Sequence, residues 1–166
     1  HQKKAMQYVQ LPLANTGNNK DNELSTRRVP GGCYLTIEGP SCSGKDTQLT
    51  ILATNLRKQG YLVYVTRQPG GTAVGAAIRE VLLRPDLRPQ HTIKTESLLY
   101  WADRFQHHET FVKPALAAGA IVLGSRDFDS SYVYQCAVRG LNETWMDEVR
   151  HLVIGSFAPT RTIVLM

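Results

Sequence analysis

"IEGPSCSGKDTQ" (residues 37–48) decides the fold, because it nearly spells a phosphate-binding loop. The Walker pattern requires Gly, four residues, Gly-Lys and then Ser or Thr. Gly39, Gly44 and Lys45 satisfy it, but Asp46 stands where the hydroxyl belongs and Thr47 comes one position late. The preceding run, "CYLTIEG" (33–39), is short, β-branched and aromatic and ends in glycine, which predicts a buried strand. The following run, "DTQLTILATNLRKQG" (46–60), predicts a helix with Leu49, Ile51, Leu52 and Leu56 on one face and a stop at Gly60. Strand, glycine turn and helix together give the match its weight. Glycines let backbone wrap phosphate oxygens, a helix N-terminus offers unpaired N–H groups, and Lys45 adds a point charge. Gly39, Ser43, Gly44, Lys45, Asp46 and Thr47 are therefore the candidate triphosphate site. A turn that merely joins strand to helix is disfavoured by the joint presence of strand, spacing, Lys45 and helix.

The rest of the chain continues the alternation. "YLVYVTR" (61–67) predicts a second strand, "TAVGAAIREVLL" (72–83) a helix packed along Ile78, Val81 and Leu82, and "LRPDLRPQ" (83–90) a proline-broken loop. "TESLLYWADRFQHHETFVKPALAAG" (95–119) predicts a long helix that kinks or restarts at Pro114. "AIVLGS" (120–125) predicts a third strand, "NETWMDEVRHLVIG" (142–155) a helix, and "RTIVLM" (161–166) a fourth strand. Apolar strands alternating with helices define an α/β fold, a parallel sheet flanked by helices with the Cys33 strand central. Ligands of such sheets sit at the carboxyl ends of the strands. No internal repeat is present.

Composition bounds the function classes. At 166 residues, 42% hydrophobic and 20% charged, the chain has the make-up of one soluble globular domain with a proper core. No apolar run approaches the roughly 18 residues of a spanning helix. Cys33, Cys42 and Cys136 are scattered, which predicts reduced thiols and no zinc site. The cytoplasm is the expected location, with the mitochondrion as the alternative. The net charge of +5 raises nucleic acid as a partner, but five cations against two acids put +3 of it in residues 1–28. A solvated tail explains that surplus, so no nucleic-acid partner is expected. Residues 1–31 read as an irregular N-terminal extension, and residues 32–166 as the phosphate-loop domain. The extension has no sustained period and cannot offset its ordering entropy alone, so fixing it requires its own domain or a partner.

The later motifs carry a resemblance. "TRQPGGT" (66–72), "SLLYWADRFQH" (97–107), "VKPALAAGAIVLGSRDFDSSYVYQ" (112–135) and the "RGL" after it are similar to the thymidylate kinase signatures TREPGGT, LLFxADRxQH and IKPALxxGxIVLCDRYxDSSxxYQ. With the phosphate loop they run in order over residues 34–166. The resemblance implies a nucleoside monophosphate kinase fold, ATP and magnesium as cofactors, and a pyrimidine deoxynucleoside monophosphate, dTMP, as phosphoryl acceptor. It places Tyr100 where the family stacks an aromatic ring on thymine and Arg104 where an arginine contacts the base edge. Arg67 and Arg126 fall at strand ends and suit bidentate phosphate clamps, Lys45 and Arg126 being the catalytic cations. Ser131, Tyr134 and Gln135 match the polar helix around the nucleoside. It also implies a homodimer, or else a larger assembly that pins the extension.

The departures cut the other way. The family carries an acid at Ser41, Ser or Thr at Asp46, Glu at Gln68 and Asp at Ser125. Three carboxylates are gone and a new one stands inside the loop. Asp46 suits magnesium as a hard oxygen ligand, yet it also repels triphosphate. Thr47 offers a second metal ligand, because "GKDTQ" resembles the GKGTQ of adenylate kinases. The chain also ends at Met166, before the arginine lid of the family, so residues 32–166 are expected to be incomplete at the C-terminus. Two functions follow: a thymidylate kinase, or a catalytically impaired relative serving as a structural or accessory subunit.

Overall fold

The computed structural model describes residues 27–166; expectations for residues 1–26 lie outside the described residues. Four parallel strands form one sheet: β1 (Cys33–Glu38), β2 (Val63–Arg67), β3 (Ile121–Ser125) and β4 (Arg161–Val164) in the order β2-β3-β1-β4. β1 is interior, as its apolar run requires, and β3 is buried along its whole length. β4 is the exposed edge. The chain leaves β1 toward β2 and leaves β3 toward β4. A crevice therefore opens between the carboxyl ends of β1 and β3, the switch point where open α/β sheets take ligands.

The helices start where side chains cap them. Thr72 accepts from Gly75 N to open α2 (Ala73–Leu83), Thr92 from Thr95 N to open α3 (Ile93–His107), and Asn142 from Trp145 N to open α6 (Glu143–Ile154). α1 (Lys45–Lys58) has no side-chain cap. Gly44 precedes it at φ 88°, so its first N–H groups are left to whatever occupies the loop. Two helical stripes differ from the sequence pattern. Ile51 and Val81 face outward, while Ala53 joins the expected Leu49, and Gly75 the expected Leu82, on the buried side. Periodicity fixes a stripe only to within a residue or so of helical phase.

The long helix breaks ahead of its proline. A π-helical stretch, His108–Val112, follows α3, and Pro114 lies in the first turn of α4 (Lys113–Ala117), where its missing N–H is harmless. The wider turn lets consecutive residues face inward: His107 and His108 are both buried, and so are Phe111 and Val112. A second π stretch, Tyr132–Val138, follows the three-residue α5 (Asp129–Ser131).

Tyr34, Phe111, Val112 and Val122 form one core cluster, and Ile37, Leu49, Val63 and Leu123 a second on the α1 side. Trp101, Met146 and Ile154 centre a third between α3 and α6. Arg27 to Val29, part of the extension by composition, hydrogen-bond to the turns before β2 and β3. All three cysteines are free. Among the described residues no helix is long and apolar enough to cross a membrane.

Candidate active site

Every strand that ends at the crevice delivers a charged side chain. After β1 the loop turns at Gly39, where an added Cβ would meet the Leu165 carbonyl oxygen at 2.5 Å. Lys45 Nζ donates to Gly39 O at 2.9 Å, to Pro40 O, and to Ser43 Oγ at 3.3 Å. Burial and the nearby Arg126 charge lower the Lys45 pKa. The lysine thus rests on carbonyls that an anion in the loop would displace. After β3, Arg126 adopts φ 72°, a left-handed conformation that non-glycine residues take only when the surroundings compel it. Its N–H donates to Ile37 O at 3.1 Å, and its guanidinium reaches Ser130 Oγ at 2.8 Å and the Tyr134 hydroxyl at 3.4 Å.

α3 supplies the opposite wall. Tyr100 is partly buried, with its phenol pKa raised by burial and by Glu96. Arg104, one turn on, is 2% exposed. Its Nε donates both to Gln68 Oε1 at 2.9 Å and to Asp127 Oδ1 at 3.1 Å, NH1 donates to Ser131 Oγ at 3.2 Å, and NH2 to Asp127 O at 3.0 Å. Gln135 Nε2 donates to Glu96 Oε1 at 2.8 Å. Lys45, Arg67, Tyr100, Arg104, Arg126, Ser131, Tyr134 and Gln135 all line one cavity of about 1480 Å³, together with Ser43, Gly44, Asp46 and Thr47. Gly39 lies behind that wall and contributes its carbonyl to Lys45. The volume exceeds the 300–1,000 Å³ usual for one small ligand, so it admits two.

Two of the lost carboxylates have neighbours that carry one. Ser125 Oγ donates to Asp46 Oδ1 at 3.1 Å, so the loop acid sits at the end of β3. Gln68 shares the Arg104 Nε–H with Asp127, so the charge opposite Arg104 comes from residue 127 instead of 68. Asp127 is fully buried, with its backbone N–H on Glu38 Oε1 at 2.7 Å and Oδ2 3.2 Å from His108 Nε2. Burial alone would raise its pKa; the His108 hydrogen bond and the His108 and Arg104 charges outweigh that and lower it. Asp127, Glu38 and His108 were not among the sequence candidates. The one signal for Asp127 is an acid where the quoted family stretch has Tyr.

Gln68 also joins the histidines. Its Oε1 accepts from Arg104, so its amide nitrogen faces His107 Nδ1 at 3.0 Å, and His107 Nε2–H donates to Thr66 Oγ1 at 2.6 Å. Burial, reinforced by His108, lowers the His107 pKa to about 3. Between that value and the ordinary one near 6.5 the unfolded chain binds the extra proton, so stability rises with pH across this window. Acidifying from pH 7 to 5 should cost about 2 kcal/mol through this group. Glu38 and Asp103, both raised by burial, work in the opposite direction. Urea denaturation at each pH, wild type against His107→Gln, isolates the imidazole: the variant should lose this part of the slope, and equal slopes would exclude it.

Comparison with known proteins gives the family. A family model described as thymidylate kinase matches residues 37–166. The chain belongs to the thymidylate kinase family. The thymidylate kinase of Thermomicrobium roseum is 46% identical over 133 residues, 80% of this chain and 61% of that protein. That of an Exiguobacterium species is 52% identical over 104 residues, 63% of this chain and 49% of that protein. A crystal structure of thymidylate kinase from Ehrlichia chaffeensis superposes with a TM-score of 0.75 at 32% identity, covering 82% of this chain and 73% of that one. The chain thus spans about half to three fifths of the length of these two curated thymidylate kinases.

Proposed function

We propose that the chain transfers the γ-phosphoryl group of ATP to dTMP, giving dTDP and ADP. One observation carries the reading: the phosphate loop with Lys45 and the aromatic and cationic wall of Tyr100, Arg104, Arg126 and Tyr134 share one cavity at the sheet's switch point. Phosphoryl transfer needs positioning and charge stabilisation more than covalent chemistry, and this wall is built from such groups. Gly39, Ser43, Gly44 and Lys45 would hold the triphosphate. Tyr100, Arg104, Ser131, Tyr134 and Gln135 would hold the nucleoside, and Arg67 and Arg126 the acceptor phosphate.

Magnesium, when bound, neutralises phosphate charge. Among the described residues there is no cluster of three metal-ligating side chains. That fits a hard cation held by one or two protein oxygens, phosphates and water. Asp46, exposed at the cavity and held by the Ser125 hydroxyl, and Thr47 are the residues that would hold it. Asp46→Ala should raise the magnesium needed for half-maximal activity by about tenfold, one lost ligand's worth. Asp46→Ser, which keeps an oxygen and removes a charge, should leave activity similar or higher. Unchanged magnesium dependence in Asp46→Ala would remove Asp46 from the metal site.

Of the grounds for the accessory-subunit reading, the lost carboxylates are weakened by the placements of Asp46 and Asp127. Calorimetric titration of dTMP into protein saturated with ADP tests the two-site cavity itself. One equivalent bound supports two neighbouring nucleotide sites, and no binding contradicts them.

Association of two copies belongs to the same proposal. α2 exposes Val74 and Val81, and α3 exposes Leu98 and Phe105, each pair two turns apart on its helix. Phe105→Glu should shift the chain from dimer to monomer on size-exclusion chromatography, and an unchanged elution would exclude this face.

A further inference from the structure

Arg104 is held from two sides that differ in charge. Gln68 Oε1, at 2.9 Å, and Asp127 Oδ1, at 3.1 Å, accept from the same Nε–H, and only Asp127 brings a negative charge to it. Asp127 also holds the guanidinium through its backbone carbonyl, 3.0 Å from NH2. The Trp101 ring lies beneath, 4.5 Å from Cζ. With the bond to Ser131, each terminal nitrogen of this cavity-lining arginine has one acceptor within the protein.

Asp127 is itself fixed to the phosphate side. Its N–H rests on Glu38 Oε1 at 2.7 Å, while Glu38 Oε2 accepts from Ser130 Oγ at 2.7 Å and lies 3.8 Å from Arg126 NH1. The left-handed turn at Arg126 puts consecutive residues to opposite uses: Arg126 reaches cavity-lining Ser130 and Tyr134, and Asp127 reaches the buried Arg104. One acid therefore ties the cation nearest the nucleoside wall to the frame that carries the phosphate clamp.

We propose that Asp127 is a positioning residue for the acceptor nucleotide: it fixes the Arg104 guanidinium relative to Arg126 without touching substrate. This rests on the reading that the Tyr100 side of the cavity takes a nucleoside monophosphate. Because Gln68 faces the same N–H, a carboxylate at residue 68 can take over the charge that residue 127 supplies. A role confined to folding would move both nucleotide affinities together, whereas positioning moves only the acceptor's.

The test is calorimetric binding of dTMP and, separately, of ADP to wild type, Asp127→Asn, and the double variant Gln68→Glu/Asp127→Asn. Asp127→Asn should weaken dTMP by about tenfold or more while ADP changes by less than about threefold, and the double variant should bring dTMP back to within about threefold of wild type. Equal dTMP affinity in Asp127→Asn, parallel loss of ADP, or no recovery in the double variant overturns the positioning role and leaves the site reading standing. A wild type that binds ADP but not dTMP overturns the site reading, and this proposal with it. Should Asp127→Asn fail to fold, the double variant decides: folded and binding dTMP it supports the exchange of charge, and unfolded or weak it overturns it.

Discussion

Lys45→Ala is expected to lower dTMP-dependent turnover by about a thousandfold or more, corresponding to about 4 kcal/mol of lost transition-state stabilisation. The loss follows from charge. Phosphoryl transfer spreads negative charge over the transferring oxygens, and Lys45 is the cation carried by the loop itself. Its present partners are the carbonyls of Gly39 and Pro40 and the hydroxyl of Ser43, all within that loop. Removing them costs the sheet and core little, so the variant should melt within a few degrees of wild type. Turnover measured by ADP release, with a melting curve alongside, checks both halves. A variant that keeps more than about a tenth of wild-type turnover would mean that Lys45 is not the main counter-charge.

Arg104→Ala should be the most destabilising single change at the site, by about 3–5 kcal/mol, because it strands a buried carboxylate. Asp127 is fully buried and Arg104 nearly so, and their contact is 3.1 Å. His108 remains beside Asp127 in the variant, so the loss should sit toward the lower half of that range at pH 7. A lowered Asp127 pKa contributes stability above the ordinary carboxylate range that is lost as pH falls. The gap between wild type and Arg104→Ala should therefore narrow on acidification, as the stranded acid takes a proton. Urea midpoints at pH 7 and pH 4 measure this. A loss under about 1 kcal/mol at pH 7 would show the pair to be solvent-compensated.

The elements that carry the fold were legible because each has a local cause. β1, β2 and β3 are short β-branched or aromatic runs, and α1 starts at the lysine where the glycine loop ends. The residues around the cavity were legible for a different reason: their motifs fall at strand ends or on α3 facing them. What pattern alone did not give is long-range or depends on helical phase. Asp127 meets Glu38, 89 positions away, and Arg104, 23 positions away, and no spacing rule links them. The helix restarts at Pro114 as expected, with the proline in the first turn of α4, but the π stretch just upstream that turns both His107 and His108 inward has no sequence signal. Ile51 and Val81 face outward because the buried stripes run through Leu49 and Ala53 on α1 and through Gly75 and Leu82 on α2, a helical phase the spacing does not fix. The carboxylates absent at 68 and 125 have counterparts that only the fold brings there: Asp127 shares the Arg104 Nε–H with Gln68, and Asp46 accepts from Ser125.

The most direct test is transfer of label from γ-labelled ATP to dTMP in the presence of magnesium, with the products separated by chromatography. Wild type should yield labelled dTDP in proportion to time and protein, and Lys45→Ala should yield none above background. Label that appears only in inorganic phosphate, or dTDP formed equally by both proteins, would contradict a phosphoryl-transfer site built on the 39–47 loop and the Tyr100–Arg126 wall.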